Sequence, residues 1–207
     1  MPQQMDKAVK DRQMEQMERF LEFQKQQGAI EGPVRLDTYM RPDQQARLRW
    51  LKENCTGRVL EVGCSWGFVL AFCGGHAGVD INKQLIMLGK ALAPERDLRE
   101  GTALALPYGD QGFETVMLPE VLEHLDFYEV PSALMEAVRV AKRRILITIP
   151  DGQHDTEHAT SFKHRWLLDI QTLDLLLSFI PCGKRTIERV ADFVCIRIDL
   201  EAQDAGL

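Results

Sequence analysis

A chain of 207 residues has room for one well-cored domain with appendages, and too little for two independent α/β domains. Hydrophobic residues at 45% and charged residues at 27% belong to an ordinary soluble globular protein, and a formal net charge of −6 speaks against a broad non-specific nucleic-acid surface. Five cysteines without a C-x-x-C pair fit neither a disulfide framework nor a zinc site, so the reducing cytoplasm is the expected location; no apolar run of membrane-spanning length and no apolar signal core is present, so neither membrane anchoring nor export is expected.

Residues Met1 to Gln27 carry Val9, Met14, Met17 and Leu21 at spacings of threes and fours, with no Pro or Gly after Asp6. They read as an amphipathic helix ended by Gly28 and Gly32-Pro33. Residues 1–33 are therefore assigned to an N-terminal helical extension and 34–207 to the main domain. The extension packs on the domain, covers the site as a lid or joins two copies in a homodimer. Tyr39 lies in the link to a second helix, expected from Pro42 through Leu51 with Leu48, Trp50 and Leu51 as core residues.

The first strand, Arg58 to Val62, breaks into Gly63-Cys64-Ser65-Trp66-Gly67. A short helix, Phe68 to Cys73, precedes a second strand, Ala77 to Asp80, and a helix over Ile81 to Ala91 closed by Pro94. A faint third strand lies near Leu98 to Glu100, and a fourth, Phe113 to Leu118, enters Pro119-Glu120-Val121-Leu122-Glu123-His124-Leu125. Val130 to Val140 is an amphipathic helix, and Arg144 to Ile149 a buried strand stopped by Pro150. The basic run Lys142-Arg143-Arg144 reads as a solvated helix end, with a local basic patch as the functional alternative.

Asp151 to Phe162 is a polar loop with His154 and His158, followed by a helix over Asp169 to Phe179. Thr186 to Val190 and Phe193 to Leu200 are joined too tightly for a crossover helix and should form an antiparallel hairpin at the sheet edge. Strands alternating with helices imply parallel βαβ units, hence an α/β fold whose ligand sits beyond the carboxyl ends of the strands.

Three site chemistries use a glycine turn of this kind. Gly63-x-Ser65-x-Gly67 could be a nucleophile elbow, although an elbow normally follows several earlier strands. A dinucleotide fingerprint would need glycine where Ser65 stands and another farther on, where Phe68 would crowd a pyrophosphate. The third pattern is E/D-x-G-x-G-x-G, met as Glu61-Val62-Gly63-Cys64-Ser65-Trp66-Gly67.

With this motif, the downstream Asp80 and the segment E-V-L-E-H-L after the fourth strand, the chain resembles the class I S-adenosylmethionine-dependent methyltransferases, particularly the small bacterial and archaeal type. The resemblance runs from about Val59 to Phe179. It implies a Rossmann-like three-layer sandwich with a mostly parallel seven-stranded sheet, order 3-2-1-4-5-7-6, an antiparallel last strand and an N-terminal helical cap. It implies S-adenosyl-L-methionine as cofactor and a small-molecule acceptor methylated on oxygen or nitrogen. An alternative from a different class is a protein that holds the cofactor without turnover.

Residue by residue, the resemblance places Glu61 in the network around the methionine end. Gly63, Cys64, Ser65 and Gly67 form the turn against the cofactor, Asp80 accepts both ribose hydroxyls and Ile81 packs on adenine. Asp80 could equally cap the helix that follows it. In Gly101-Thr102-Ala103, Thr102 stands where the family usually has Asp beside the adenine amine, and Glu114 replaces a common Asp in the fourth strand. Leu118, Pro119 and Glu120 fall beside the methionine part. Glu123, His124 and His164 are the candidate catalytic residues, since a hydroxyl acceptor must lose a proton and an imidazole titrates near neutral pH. Glu120, Glu123, His124 and His164 also resemble the metal site of RNA 3′-terminal ribose 2′-O-methyltransferases. That second alternative would add a divalent ion, whereas the main reading carries no metal and no nucleic-acid partner.

Overall fold

The computed structural model describes Tyr39 and residues 41–151, 170–178, 180 and 183–201. The expected N-terminal helix, His154, His158, His164 and the boundary at residue 33 lie outside the described residues. Five helices are named here: α1 (Pro42–Asn54), α2 (Phe68–Phe72), α3 (Lys83–Leu92), α4 (Val130–Val140) and α5 (Ile170–Leu177). Seven strands form one sheet: β1 (Val59–Val62), β2 (Ala77–Asp80), β3 (Asp97–Glu100), β4 (Phe113–Pro119), β5 (Ala141–Pro150), β6 (Lys184–Val190) and β7 (Phe193–Asp199).

The sheet order is β3-β2-β1-β4-β5-β7-β6, as the resemblance implies. Strands β1 to β5 are mutually parallel, and β7 runs antiparallel to both β5 and β6. Apolar residues on both faces of the inner strands make the sheet a two-sided core, which is what a parallel sheet covered by helices demands. On one face Leu60, Val62, Val116, Leu118, Ile145 and Ile147 pack with α4 residues Leu134, Ala137 and Val138. On the other, Val59, Met117, Leu146 and Cys195 pack with Leu48 and Leu51 of α1, Val69 and Leu70 of α2 and Leu85 and Leu88 of α3. This gives the three-layer α/β sandwich.

The carboxyl ends of β1, β2 and β4 lie side by side, because Val62 pairs with Val79 and Glu61 with Met117. The amino end is fixed differently. Glu114 Oε2 accepts the Arg58 N–H at 2.8 Å, which ties the start of β4 to that of β1 and holds its carboxyl below the usual range. The residue at the altered family position is therefore a clip at the end of the sheet away from the glycine turn.

Helix α1 is anchored at several points. Trp50 Nε1 donates to Glu188 Oε1 of β6 at 2.6 Å, and Arg144 Nη1 donates to the Asn54 carbonyl at 2.7 Å. These bonds hold α1 against the β5 and β6 side of the sheet.

Three expectations are corrected. The cap of α3 is Asn82, whose side chain accepts from the Gln84 and Leu85 amides, and not Asp80. Lys142 to Arg144 belong to β5 and not to a helix end: α4 ends at Val140, and Arg144 pairs with Asp199 at 2.6 Å inside the sheet. Pro150 is the last residue of β5 opposite Phe193, a ladder end where a missing N–H is tolerated.

Candidate functional site

The turn after β1 is built by backbone geometry. The Gly63 and Cys64 amides donate to the Val79 carbonyl at 2.8 and 3.0 Å, folding the turn onto β2. Gly63 has φ +71°, and an added Cβ would lie 2.6 Å from Val121 Cγ2, so both conformation and space demand glycine there. Gly67, at φ +88°, begins α2, and Ser65 between them is also left-handed at φ +52°. Cys64 and Trp66 are buried packing residues, and burial pushes the Cys64 thiol far above its ordinary titration range.

Ser65 acts through its backbone: its N–H donates to Asp80 Oδ2 at 2.7 Å. Asp80 Oδ1 accepts from the Asn82 amide at 2.8 Å. The carboxylate is thus held from both sides, while each oxygen keeps acceptor capacity for a hydroxyl. Beside it Ile81 is 78% exposed, an uncovered apolar side chain at a strand end. Gly101 donates to the Asp80 carbonyl at 3.0 Å, and Thr102 Oγ1 accepts from the Leu104 amide at 3.3 Å. Ala103 packs partly buried against the core. Asp80, Ile81, Thr102 and Ala103 therefore form one neighbourhood at the ends of β2 and β3.

The second neighbourhood lies past β1 and β4. Glu61 is 1% exposed, and its Oε2 has no hydrogen-bond partner among the described residues. Burial drives its pKa well upward, with Arg47 opposing that shift in part. Leu118 and Pro119 end β4, and Glu120 follows in the left-handed region at φ +54° with its N–H on the Thr148 carbonyl at 2.8 Å. Glu120 Oε2 is 2.8 Å from Arg47 Nη1. Glu123 is 4% exposed with both carboxyl oxygens unpartnered among the described residues, and burial together with the nearby Glu120 pushes its pKa well upward. His124 closes the same 3-10 turn, its N–H on the Val121 carbonyl at 3.1 Å.

Tyr39 stacks on Phe68 with ring centroids 4.4 Å apart, and burial raises its hydroxyl pKa. It feels the charges of Arg47, Glu120 and Glu61, which places all four groups in one locality. Arg47 is the residue that reading the sequence missed. A signal existed: Gln44, Arg47 and Leu51 share one helical face at spacings of three and four, so a cation sits on the side the apolar residues bury.

The donors suit a zwitterionic, ribose-bearing cofactor. An unsatisfied carboxyl oxygen at Glu61 fits an ammonium, the fixed Asp80 carboxylate fits two vicinal hydroxyls and Ile81 offers an apolar surface to a base. Among the described residues no group of three His, Cys, Asp or Glu side chains is arranged to hold a metal ion.

Residues 60–147 match a family model described as a methyltransferase domain. No curated protein matches the chain in sequence. Among solved structures, a Thermotoga maritima protein described as an S-adenosylmethionine-dependent methyltransferase, possible histamine N-methyltransferase, is similar with a TM-score of 0.69 at 16% identity, over 90% of this chain and 99% of that one. An Archaeoglobus fulgidus S-adenosylmethionine-dependent methyltransferase gives 0.61 at 19% identity, over 79% and 96%. The magnesium protoporphyrin IX methyltransferase of Synechocystis, solved with bound S-adenosylhomocysteine, gives 0.59 at 16% identity, over 89% and 94%. Residues 60–147 are thus similar to a methyltransferase domain, carried on the Rossmann-like sheet that the chain shares with these solved structures.

Proposed function

We propose that the chain moves a methyl group from S-adenosylmethionine to an oxygen or nitrogen atom of a small-molecule acceptor. The observation that carries this reading is the pair of carboxyl groups across the glycine turn: Asp80 fixed by two amides, and Glu61 buried with an oxygen left over. When bound, the cofactor supplies an activated methyl on a sulfonium, which an aligned acceptor lone pair can take in one displacement.

Glu61 and the Gly63-to-Gly67 turn orient the methionine half, while Asp80, Ile81, Thr102 and Ala103 hold the adenosine half. Leu118, Pro119 and Glu120 wall the methyl end. The stacked Tyr39 and Phe68 add apolar surface on the α1 side and help exclude water.

On the acceptor side, Glu123 and His124 follow directly on β4, and the third candidate, His164, lies outside the described residues. A carboxyl whose pKa is raised by burial is matched to proton transfer near neutral pH. His124 would take the proton that the acceptor loses when it is methylated. Two structurally similar proteins, one described as a possible histamine N-methyltransferase and the other a magnesium protoporphyrin IX methyltransferase, support a small acceptor. The metal-dependent RNA reading has less support, because the Glu120 carboxylate is already balanced by Arg47.

The test is transfer of isotope-labelled methyl from S-adenosylmethionine into a small-molecule extract, with Glu123→Gln and His124→Ala alongside. Label in a small-molecule fraction, and a loss of about 100-fold in one variant, is the expected result. Cofactor binding with no label in any fraction would replace this reading with a binding protein. Label in RNA 3′ ends that requires Mn²⁺ or Mg²⁺ would replace the acceptor class.

A further inference from the structure

We infer that Cys55 and Cys73 form a redox-active dithiol, a modification site that a small-molecule disulfide converts into an intrachain bond joining the carboxyl ends of α1 and α2. The inference does not depend on what the cofactor site holds.

Cys55 caps the carboxyl end of α1, its N–H on the Leu51 carbonyl at 3.0 Å, and Cys73 caps that of α2, its N–H on the Val69 carbonyl at 3.0 Å. One turn before Cys55, Lys52 sets its ammonium 5.3 Å from the centre of the Phe72 ring, the residue before Cys73. The two helix ends therefore meet at more than one point. At the second, the Cys73 thiol donates to the Cys55 sulfur, and both cysteines are free. A disulfide needs its sulfurs to come together with little backbone movement, and a pair already in hydrogen-bond contact meets that need.

The two thiols are unequal, which sets their order of reaction. Cys55 is half-buried, whereas Cys73 is 9% exposed. The hydrogen bond from Cys73 and the charge of Arg144 hold the Cys55 thiol below its ordinary range, against the opposing effect of burial. Arg144 is fixed there by Nη1 donating to the Asn54 carbonyl at 2.7 Å, where it also offsets the negative end of the α1 dipole. The same sulfur contact and burial push the Cys73 thiol far up, and burial raises those of Cys64 and Cys195. Cys55 is thus the attacking group and Cys73 the resolving one.

With glutathione disulfide as oxidant, Cys55 loses its proton to water and its thiolate attacks one sulfur of the S–S bond. A mixed disulfide forms, and one glutathione thiolate leaves and takes up a proton. The Cys73 sulfur then attacks the Cys55 sulfur and expels the second glutathione, which takes the Cys73 proton. Two protein thiols are oxidised by two electrons in all, and one glutathione disulfide is reduced to two thiols.

The test exposes the reduced full chain to glutathione disulfide and maps its peptides by mass without reduction. Wild type should yield a Cys55-to-Cys73 crosslinked peptide that dithiothreitol removes. The oxidised chain should also unfold about 5 °C or more above the reduced one, because the bond closes a loop without moving the native fold. Cys73→Ser should stop at a mixed disulfide of Cys55 with glutathione, and Cys55→Ser should leave Cys73 unmodified in the folded chain; either variant carries the test should the other fail to fold. Cys55 linked to a different cysteine, Cys73 modified as readily without Cys55, no crosslink at all, or an oxidised chain that melts at or below the reduced one would overturn the assignment.

Discussion

The two halves of the site are built on opposite plans. Around Asp80 the polar atoms are paired by near neighbours: both carboxylate oxygens accept backbone amides, from Ser65 and Asn82, and Thr102 closes on Leu104. Around Glu61, Glu120 and Glu123 the groups come from distant stretches, three carboxyl oxygens have no partner among the described residues, and the buried Arg47 pairs with Glu120. The first half is a rigid socket complete before a ligand arrives. The second is electrostatically unfinished, and a ligand with its own charges completes it. Under the proposed function the paired half would take the constant adenosine, and the unsatisfied polar groups would mark where binding and proton transfer happen.

If this contrast is right, breaking the finished half should cost most. Asp80→Ala removes the acceptor for two ribose hydroxyls and leaves the Ser65 and Asn82 amides unpaired. S-adenosylhomocysteine affinity should drop by about 100-fold or more, as titration calorimetry can show.

The unfinished half should reveal itself through pH. Glu123 keeps its proton in the folded chain at pH values where an unfolded glutamate, titrating near about 4.3, has lost it. The folded state then binds more protons, so the contribution of Glu123 is full below that value and is lost as pH rises through the folded pKa. Glu123→Gln removes this dependence. In urea denaturation it should gain on wild type between acid and neutral pH, with a slope approaching about 1.4 kcal/mol per pH unit. Parallel pH profiles for the two proteins would mean that Glu123 is ionised in the fold.

Smaller effects sharpen the turn itself. Gly63→Ala forces a Cβ into Val121 at a left-handed φ and should cost about 1–3 kcal/mol of stability with a further loss of cofactor affinity. Asn82→Ala deletes the α3 cap and should cost about 1 kcal/mol by thermal denaturation, with no change in the pH slope.

Legibility in the sequence follows the same division. Asp80, Ile81 and Thr102 are near-neighbour features, and the alternation of strands and helices was readable because the periodic runs of β1, β2, β4, α4 and β5 end at glycine, proline or polar residues. The order of strands across the sheet came with the family resemblance and not from periodicity, since strand adjacency is a long-range property. Arg47 was not read because its partners Glu120, Thr148 and Phe193 lie far along the chain, and composition gives no sign that one arginine among many is buried. Asp80 offers a helix cap as the alternative to its ribose role, and Asn82 takes that cap, because both residues cap well and only the position of the last ladder bond of β2 decides between them.

A crystal structure of the protein with S-adenosylhomocysteine tests the central claim most directly. The expected result places the ribose hydroxyls on the Asp80 carboxylate, adenine against Ile81 and the amino-acid head beside Glu61. A ribose away from Asp80, or a head group turned to solvent with Glu61 unchanged, would contradict it.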